Sequence, residues 1–197
     1  MVQNIFRAFD YAREQHFPLN LFIVLQLHET DRRFAATLFE MIRHKYRDWL
    51  HYQSRKWGHL LPPPYVYTFE APGNPHVNWI VRVPPFLMDD FLTKLPRWIK
   101  RVQGPASLHD LHISPVDPNG YKSLASYVAK GCEESYLHHF HLTQLHAQYG
   151  PQGEFWGKRA GVSPALNKAA RDAAHYNGKS RKLAPDAPPP RVTKGVA

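Results

Sequence analysis

The sequence predicts an α+β domain: an antiparallel four-stranded sheet in the order βαββαβ with helices on one face, an extra N-terminal helix, and a basic C-terminal extension. Three observations carry this reading. Runs rich in β-branched, aromatic and large aliphatic residues fall at 21–27, 65–70, 76–83 and 107–114. Helical periodicity fills the gap between the first and second runs and the gap between the third and fourth. Only "APGNP" separates the second run from the third, and Pro, Gly and Asn in that density make a turn, so the two form a hairpin.

The elements follow in order. Residues 4–16, "NIFRAFDYAREQH", set Ile5, Phe6, Phe9 and Tyr11 among charges and form a short amphipathic helix. "LFIVLQL" (21–27) is a dense apolar run short enough to be a buried strand. Thr30 and Asp31 can cap the next helix, in which Phe34, Leu38, Met41, Ile42, Tyr46, Trp49 and Leu50 recur at helical spacing through about Trp57. "LPPP" (61–64) stops it. The hairpin "YVYTFE-APGNP-HVNWIVRV" follows, and Pro84 and Pro85 end it. A helix spans 86–104, bent or broken at Pro96. The strand 107–114 leads through "PVDPNG" to the helix 121–131, closed by Gly131, and to a further helical stretch at 133–148. A split βαββαβ layout of this kind makes a ferredoxin-like sheet.

From residue 150 the composition shifts. The expected division is a folded domain at 1–150 and a basic, partly disordered segment at 151–197, with one helix at 163–174 and a Pro-rich end. From Lys158 onward nine Lys and Arg face two acids, whereas residues 1–157 hold sixteen against fourteen, so most of the net charge of +9 sits in this segment. A cationic tail meets a polyanion, most commonly nucleic acid. Lys158, Arg159, Lys168 and Arg171, with Arg181 and Lys182 beyond, are the candidate phosphate contacts. No run approaches the ~18 apolar residues of a membrane span, and the N-terminus lacks a secretory pattern. The single cysteine, Cys132, forms no internal disulfide and fits a reducing, cytoplasmic setting.

Two constellations carry chemistry. On the hairpin, His76 and Asn78 are two apart and share a sheet face, and the turn folds Glu70 back toward His76. A carboxylate, an imidazole and an amide carbonyl suit Mg²⁺ or Mn²⁺ better than a structural zinc. Polar residues on a hairpin are also commonly just solvated. In "YKSLASYVAKG", Tyr127 and Lys130 lie three apart on one helical face, with Leu124 and Val128 burying the other. A tyrosine becomes a nucleophile when neighbouring charge stabilises its phenolate or orients its target. A half-buried tyrosine beside a surface lysine is the plainer alternative.

Taken together and in this order, the two constellations resemble the HUH superfamily of single-strand DNA nucleases, especially the replication initiator (Rep) proteins of rolling-circle plasmids and small circular-DNA viruses. "LFIVLQL" stands where that family has its first motif. "PHVNWIVRVP" resembles the His-hydrophobic-His motif, with Asn78 in the second position, and "YVAKG" resembles the Tyr-x-x-Lys motif. The resemblance covers roughly residues 20–131. It implies a divalent ion, Mg²⁺ or Mn²⁺, on Glu70, His76 and Asn78, and Tyr127 as the nucleophile, with Lys130 orienting the phosphate. It also implies a single-stranded DNA partner at a replication origin, one that can carry a hairpin.

Rivals remain at this stage. Tyr121 opens the same helix but has no lysine three residues on. His138, His139, His141 and His146 could form another metal cluster or simply decorate an aromatic helix. His109 and His112 fall on opposite faces of the fourth strand, and one of them could neighbour the site. A ferredoxin-like sheet with a basic tail also describes non-catalytic DNA- or RNA-binding modules, and single-tyrosine transposases share the tyrosine chemistry.

Overall fold

In a computed structural model, residues 1–28, 32–105, 107, 109–176 and 178 are described. They form α1 (Val2–Glu14), β1 (Leu21–Gln26), α2 (Arg32–Trp57), β2 (Tyr65–Glu70), β3 (His76–Val81), α3 (Met88–Gln103) and β4 (Leu111–Pro115). Then come α4 (Tyr121–Ala129), α5 (Glu134–Leu137), α6 (Thr143–Tyr149), β5 (Ala160–Val162) and α7 (Lys168–Ala173). The strands make one sheet in the order β4-β1-β3-β2-β5, antiparallel throughout, so the α+β, ferredoxin-like class holds.

Helices cover both faces of this sheet, which corrects the expected one-sided arrangement. The alternating pleat sends Leu21, Ile23, Leu25, Tyr65, Tyr67, Phe69, Val77, Trp79 and Val81 to one side, where α2 and α3 supply Phe39, Ile42, Tyr46, Phe91 and Leu95. Phe22, Val66 and Ile80 face the other side, under Ile5, Phe6 and Phe9 of α1 and Leu124, Ala125 and Val128 of α4. A strand buried on both faces has no polar side to alternate with, and "LFIVLQL" reads as a continuous apolar run for that reason.

Several local expectations shift. On α2 the buried face is Ala35, Phe39, Ile42, Tyr46, Trp49 and Leu50, while Phe34 and Met41 are about half exposed. The helix α3 runs on through Pro96. The stretch 133–148 is two short helices, parted where His141 takes a φ of 54°. The Asp110 amide donates to the Ser107 carbonyl at 3.1 Å, and β4 begins only at Leu111. Gly131 does not close α4 with a left-handed residue. Its hydrogen faces Gln152, and an added Cβ would come within 3.2 Å of that side chain. Thr30, Asp31, Arg181, Lys182 and the Pro-rich end lie outside the described residues.

The largest correction concerns the boundary at 150. β5 pairs with β2 inside the same sheet, Val66 opposite Val162. The Phe69 amide donates to the Arg159 carbonyl at 2.7 Å, and the Ala71 amide donates to Gln152 at 2.8 Å. Asn167 caps α7, accepting from the Ala170 amide at 2.9 Å, and Leu166 is fully buried. The folded unit therefore extends to α7. A chain ending at Gly150 loses one fully buried leucine, worth about 2 kcal/mol. It also loses at least three strand-edge hydrogen bonds, the two above and that from the Ser163 amide to the Tyr65 carbonyl, at about 1 kcal/mol each. Its thermal midpoint is expected to drop by at least 10 °C, using roughly 2–4 °C per kcal/mol for a domain of this size. A melt within 3 °C of the full chain would show residues 151–176 to be an accessory.

Among the described residues, no helix is long and apolar enough to cross a membrane.

Candidate functional site

The β2–β3 register places Glu70 opposite His76 and Thr68 opposite Asn78, all four on the face that α1 and α4 cover. α4 lies over β2, and its apolar side, Leu124 and Val128, is buried beneath it. That docking brings Lys130, the residue just past the helix end, down onto the hairpin. Lys130 Nζ pairs with Glu70 Oε1, and His76 Nε2 lies 3.3 Å from the other carboxylate oxygen, Oε2. Lys130 is 1% exposed and Glu70 5%. The ammonium also sits 3.7 Å from the centroid of the Tyr127 ring, on its face, and 5.5 Å from that of Tyr149. Tyr149 and Phe22 hold the Tyr127 ring edge-on at 5.2 and 6.0 Å. Glu70, His76, Tyr127 and Lys130, separated by up to 60 positions in the chain, thus form one cluster.

The electrostatics follow from this packing. Burial by itself would raise the Glu70 carboxyl. The hydrogen bond with His76 and the Lys130 charge outweigh it and hold the carboxyl below its ordinary value. Burial pulls the Lys130 ammonium below its ordinary value, with the Glu70 charge working against that shift. Burial, the negative charge of Glu70 and the neighbouring Tyr149 raise the Tyr127 phenol well above the usual tyrosine range. The Tyr127 hydroxyl is therefore neutral near pH 7, and it can shed its proton only against added positive charge.

Asn78 is 1% exposed, and neither Oδ1 nor Nδ2 has a hydrogen-bond partner. Thr68 Oγ1, across the strand pair, is equally unpartnered. A buried polar atom left alone costs about 1–3 kcal/mol, so such atoms mark a place where a ligand or water is stabilising. Glu70 Oε2, His76 and Asn78 Oδ1 are hard or borderline donors, and they could hold a divalent cation with Lys130 retained on Oε1. Among the described residues no three His, Cys, Asp or Glu side chains gather as a metal group, and the histidines at 138, 139, 141 and 146 make none. The donor set at the hairpin includes an amide in place of a third such residue.

An open cavity of about 890 Å³ reaches His76 from the sheet end, between the β2–β3 turn and the ends of β1 and β4. His28, just past β1, pairs with Asp110, just before β4, at 2.9 Å, and His109 lines the same space. So His109, which precedes β4, is the one of the two that neighbours the site, while His112 is exposed on β4, opposite Val24. The sequence reading assigned no role to His28, Asp110 or Tyr149. The first two were detectable as polar residues flanking strands that pair. Tyr149 carried no signal, because only the tertiary fold brings α6 to α4.

Tyr121 is excluded as a neighbour of this cluster by its own contacts. It is buried beside Phe9 and accepts a hydrogen bond from the Leu19 amide at 3.1 Å, and burial pushes its phenol up to about 12. The basic candidates divide. Arg159 donates to the Gln152 carbonyl at 3.3 Å and to the Gly153 carbonyl, and lies beside Gly131, next to Lys130. Lys158 is exposed, and Lys168 is exposed with its ammonium 2.5 Å from Asp172. Arg171 is not available to a phosphate. It is 4% exposed, donating to the Leu166 carbonyl and, at 2.6 Å, to Asn4 Oδ1, so it ties α7 to α1.

Comparison with protein-family models, with curated proteins and with solved structures finds no match to this chain.

Proposed function

We propose that this protein nicks and joins single-stranded DNA through a 5′-phosphotyrosine formed by Tyr127, in the manner of HUH-superfamily initiators of rolling-circle replication. The observation that carries the reading is the descent of α4 onto the hairpin, which joins Tyr127 and Lys130 to Glu70 and His76. The scissile phosphate would enter by the cavity beside His76. Tyr127 Oη attacks phosphorus, the phenolic proton passes to water, and the bond to the 3′-oxygen breaks as that oxygen takes up a proton. The products are a 5′-phosphotyrosine and a free 3′-hydroxyl, and reversal of the same exchange rejoins the ends without ATP. A bound Mg²⁺ or Mn²⁺ would polarise the phosphate, with Glu70, His76 and Asn78 as its ligands. Lys130 fixes Glu70 and offsets negative charge beside the Tyr127 ring. The setting implied is the cytoplasm of a bacterium, or of a host cell for a virus-encoded protein, with a replication origin as the partner.

One observation favours a second reading. Lys130 is already satisfied by Glu70 and the Tyr127 phenol is held neutral, as a structural cluster in a non-catalytic DNA- or RNA-binding module would be. Labelled single-stranded oligonucleotides of randomised sequence, incubated with the protein in Mn²⁺ and run under denaturing conditions, separate the two. An adduct that maps to Tyr127 by peptide mass is expected. Metal-independent binding with no adduct assigns the module instead.

A further inference from the structure

The opposite side of the domain carries a groove of about 530 Å³ between α2 and α3, the helices that cover the sheet face away from Glu70. Its floor is aromatic. Trp49 and Trp98 are nearly buried, with ring centroids 6.0 Å apart. Its rim is aromatic too, but bare: Tyr52 is 57% exposed, Trp57 50%, and Phe86, 60% exposed, meets the Trp57 ring edge-on at 5.6 Å. Exposed large rings in one place mark a binding surface rather than scattered surface apolarity.

The charges around these rings narrow the occupant. Lys45, Lys56, Lys94 and Arg101 line the groove against Asp48 and Asp90. Asp90 is neutralised within the fold, accepting from Trp49 Nε1 at 2.7 Å and from Gln53 Nε2 at 3.3 Å while Lys94 lies at 3.4 Å. Lys45, Lys56 and Arg101 have no carboxylate partner among the described residues. Lys56 Nζ instead lies 5.7 Å from the centroid of the Trp57 ring. Lys45 and Lys56 are eleven residues apart on α2, about 16 Å along the axis, and Lys94 and Arg101 run alongside on α3 for about 10 Å. Two rows of cations beside a strip of rings suit a linear polyanion that carries flat faces.

We infer that this groove is a second contact for single-stranded nucleic acid, with bases stacked on Trp57 and Tyr52 and phosphates along Lys45, Lys56 and Arg101. Base stacking on exposed aromatics and phosphate neutralisation by flanking cations are the two sequence-tolerant means of holding a single strand. The inference is independent of Tyr127 chemistry, since the groove and the hairpin lie on opposite faces of the sheet. A strand that occupies both must wrap the edge of the domain.

The test measures fluorescence anisotropy of labelled dT20 with the full chain carrying Tyr127→Phe, in EDTA, across a salt series. Lys45→Ala/Lys56→Ala/Arg101→Ala is expected to weaken binding at least tenfold at low salt. It should also reduce the slope of log K against log salt by about 2, at roughly 0.7 per phosphate contact. Trp57→Ala is expected to weaken binding about tenfold. Trp57→Tyr, which keeps a stacking face at this half-exposed position, restores most of it. Unchanged affinity in the triple variant, or an effect of the charges with none from Trp57, overturns the inference. Tighter binding of poly-glutamate than of dT20 overturns it as well, and assigns the groove to an acidic protein segment. Because cleavage is blocked throughout, these outcomes do not depend on whether Tyr127 is a nucleophile.

Discussion

Tyr127→Phe is expected to abolish the proposed covalent oligonucleotide adduct and to leave the fold and non-covalent DNA binding intact. The expected loss in nicking rate is at least 10⁴-fold, the scale on which removing a nucleophile acts. The structure makes this a clean substitution. The Tyr127 hydroxyl has no hydrogen-bond partner among the described residues, so phenylalanine forfeits none. The ring keeps its edge contacts to Phe22 and Tyr149 and its place under the Lys130 ammonium. The thermal midpoint should stay within about 2 °C, since phenylalanine keeps the ring volume and gives up no hydrogen bond. Nicking that survives in Tyr127→Phe would remove Tyr127 from the reaction, and a large fall in melting temperature would make the hydroxyl structural.

Glu70→Gln destabilises the domain by about 3–5 kcal/mol, because it leaves the Lys130 ammonium in a buried site without its counter-ion. At roughly 2–4 °C per kcal/mol, the melting temperature falls by about 6–20 °C. Lys130→Met leaves the converse problem, a buried carboxylate held only by His76, and weakens the pH dependence. In the unaltered protein the Glu70 carboxyl is held below its ordinary value, so the unfolded chain binds more protons as pH falls through the carboxylate range, and acid weakens the fold. Without Lys130, two of the effects that lower the folded carboxyl are gone and only His76 opposes its desolvation, so the carboxyl rises from its place in the unaltered protein. Acidification from pH 7 toward pH 5 then costs that variant less stability than it costs the unaltered protein. The double variant should cost less than the sum of the single ones. Urea denaturation of the four proteins at both pH values checks this, and additive costs with parallel pH curves would show that the pair does not interact.

The first four strands and their order along the chain were legible because their signals are local. Alternating or dense β-formers bounded by Pro, Gly and Asn gave β1 to β4, and the short "APGNP" link left the hairpin no alternative to pairing. Two-sided burial was also written into "LFIVLQL", where six of seven residues are apolar, although the expected one-sided sheet did not follow that hint. The C-terminal boundary was not legible. "AGV" at 160–162 is too short to read as a strand, and it pairs with β2 only because Phe69, Ala71 and Tyr65 present unpaired backbone groups at that edge. Arg171 was counted as a phosphate contact on charge alone, while its partner Asn4 sits 167 residues away, a distance that no local pattern spans. At the site, Glu70, His76, Asn78, Tyr127 and Lys130 were individually readable. The direct bond of Lys130 to Glu70 was not, because it depends on where α4 ends.

The three-residue strand β5 has a further consequence, which concerns proteolysis and solubility. β2, "YVYTFE", is a hexapeptide of strong β-formers with no charge before its last residue, the composition that templates edge-to-edge pairing between molecules. β5 and the preceding loop occupy that edge, and Gly153 lies so close to the Ala71 carbonyl that any side chain there would collide. Removal of β5 and that loop would uncover an adhesive strand on every molecule and favour self-association. Keeping that segment attached is thus a condition for handling the protein at high concentration.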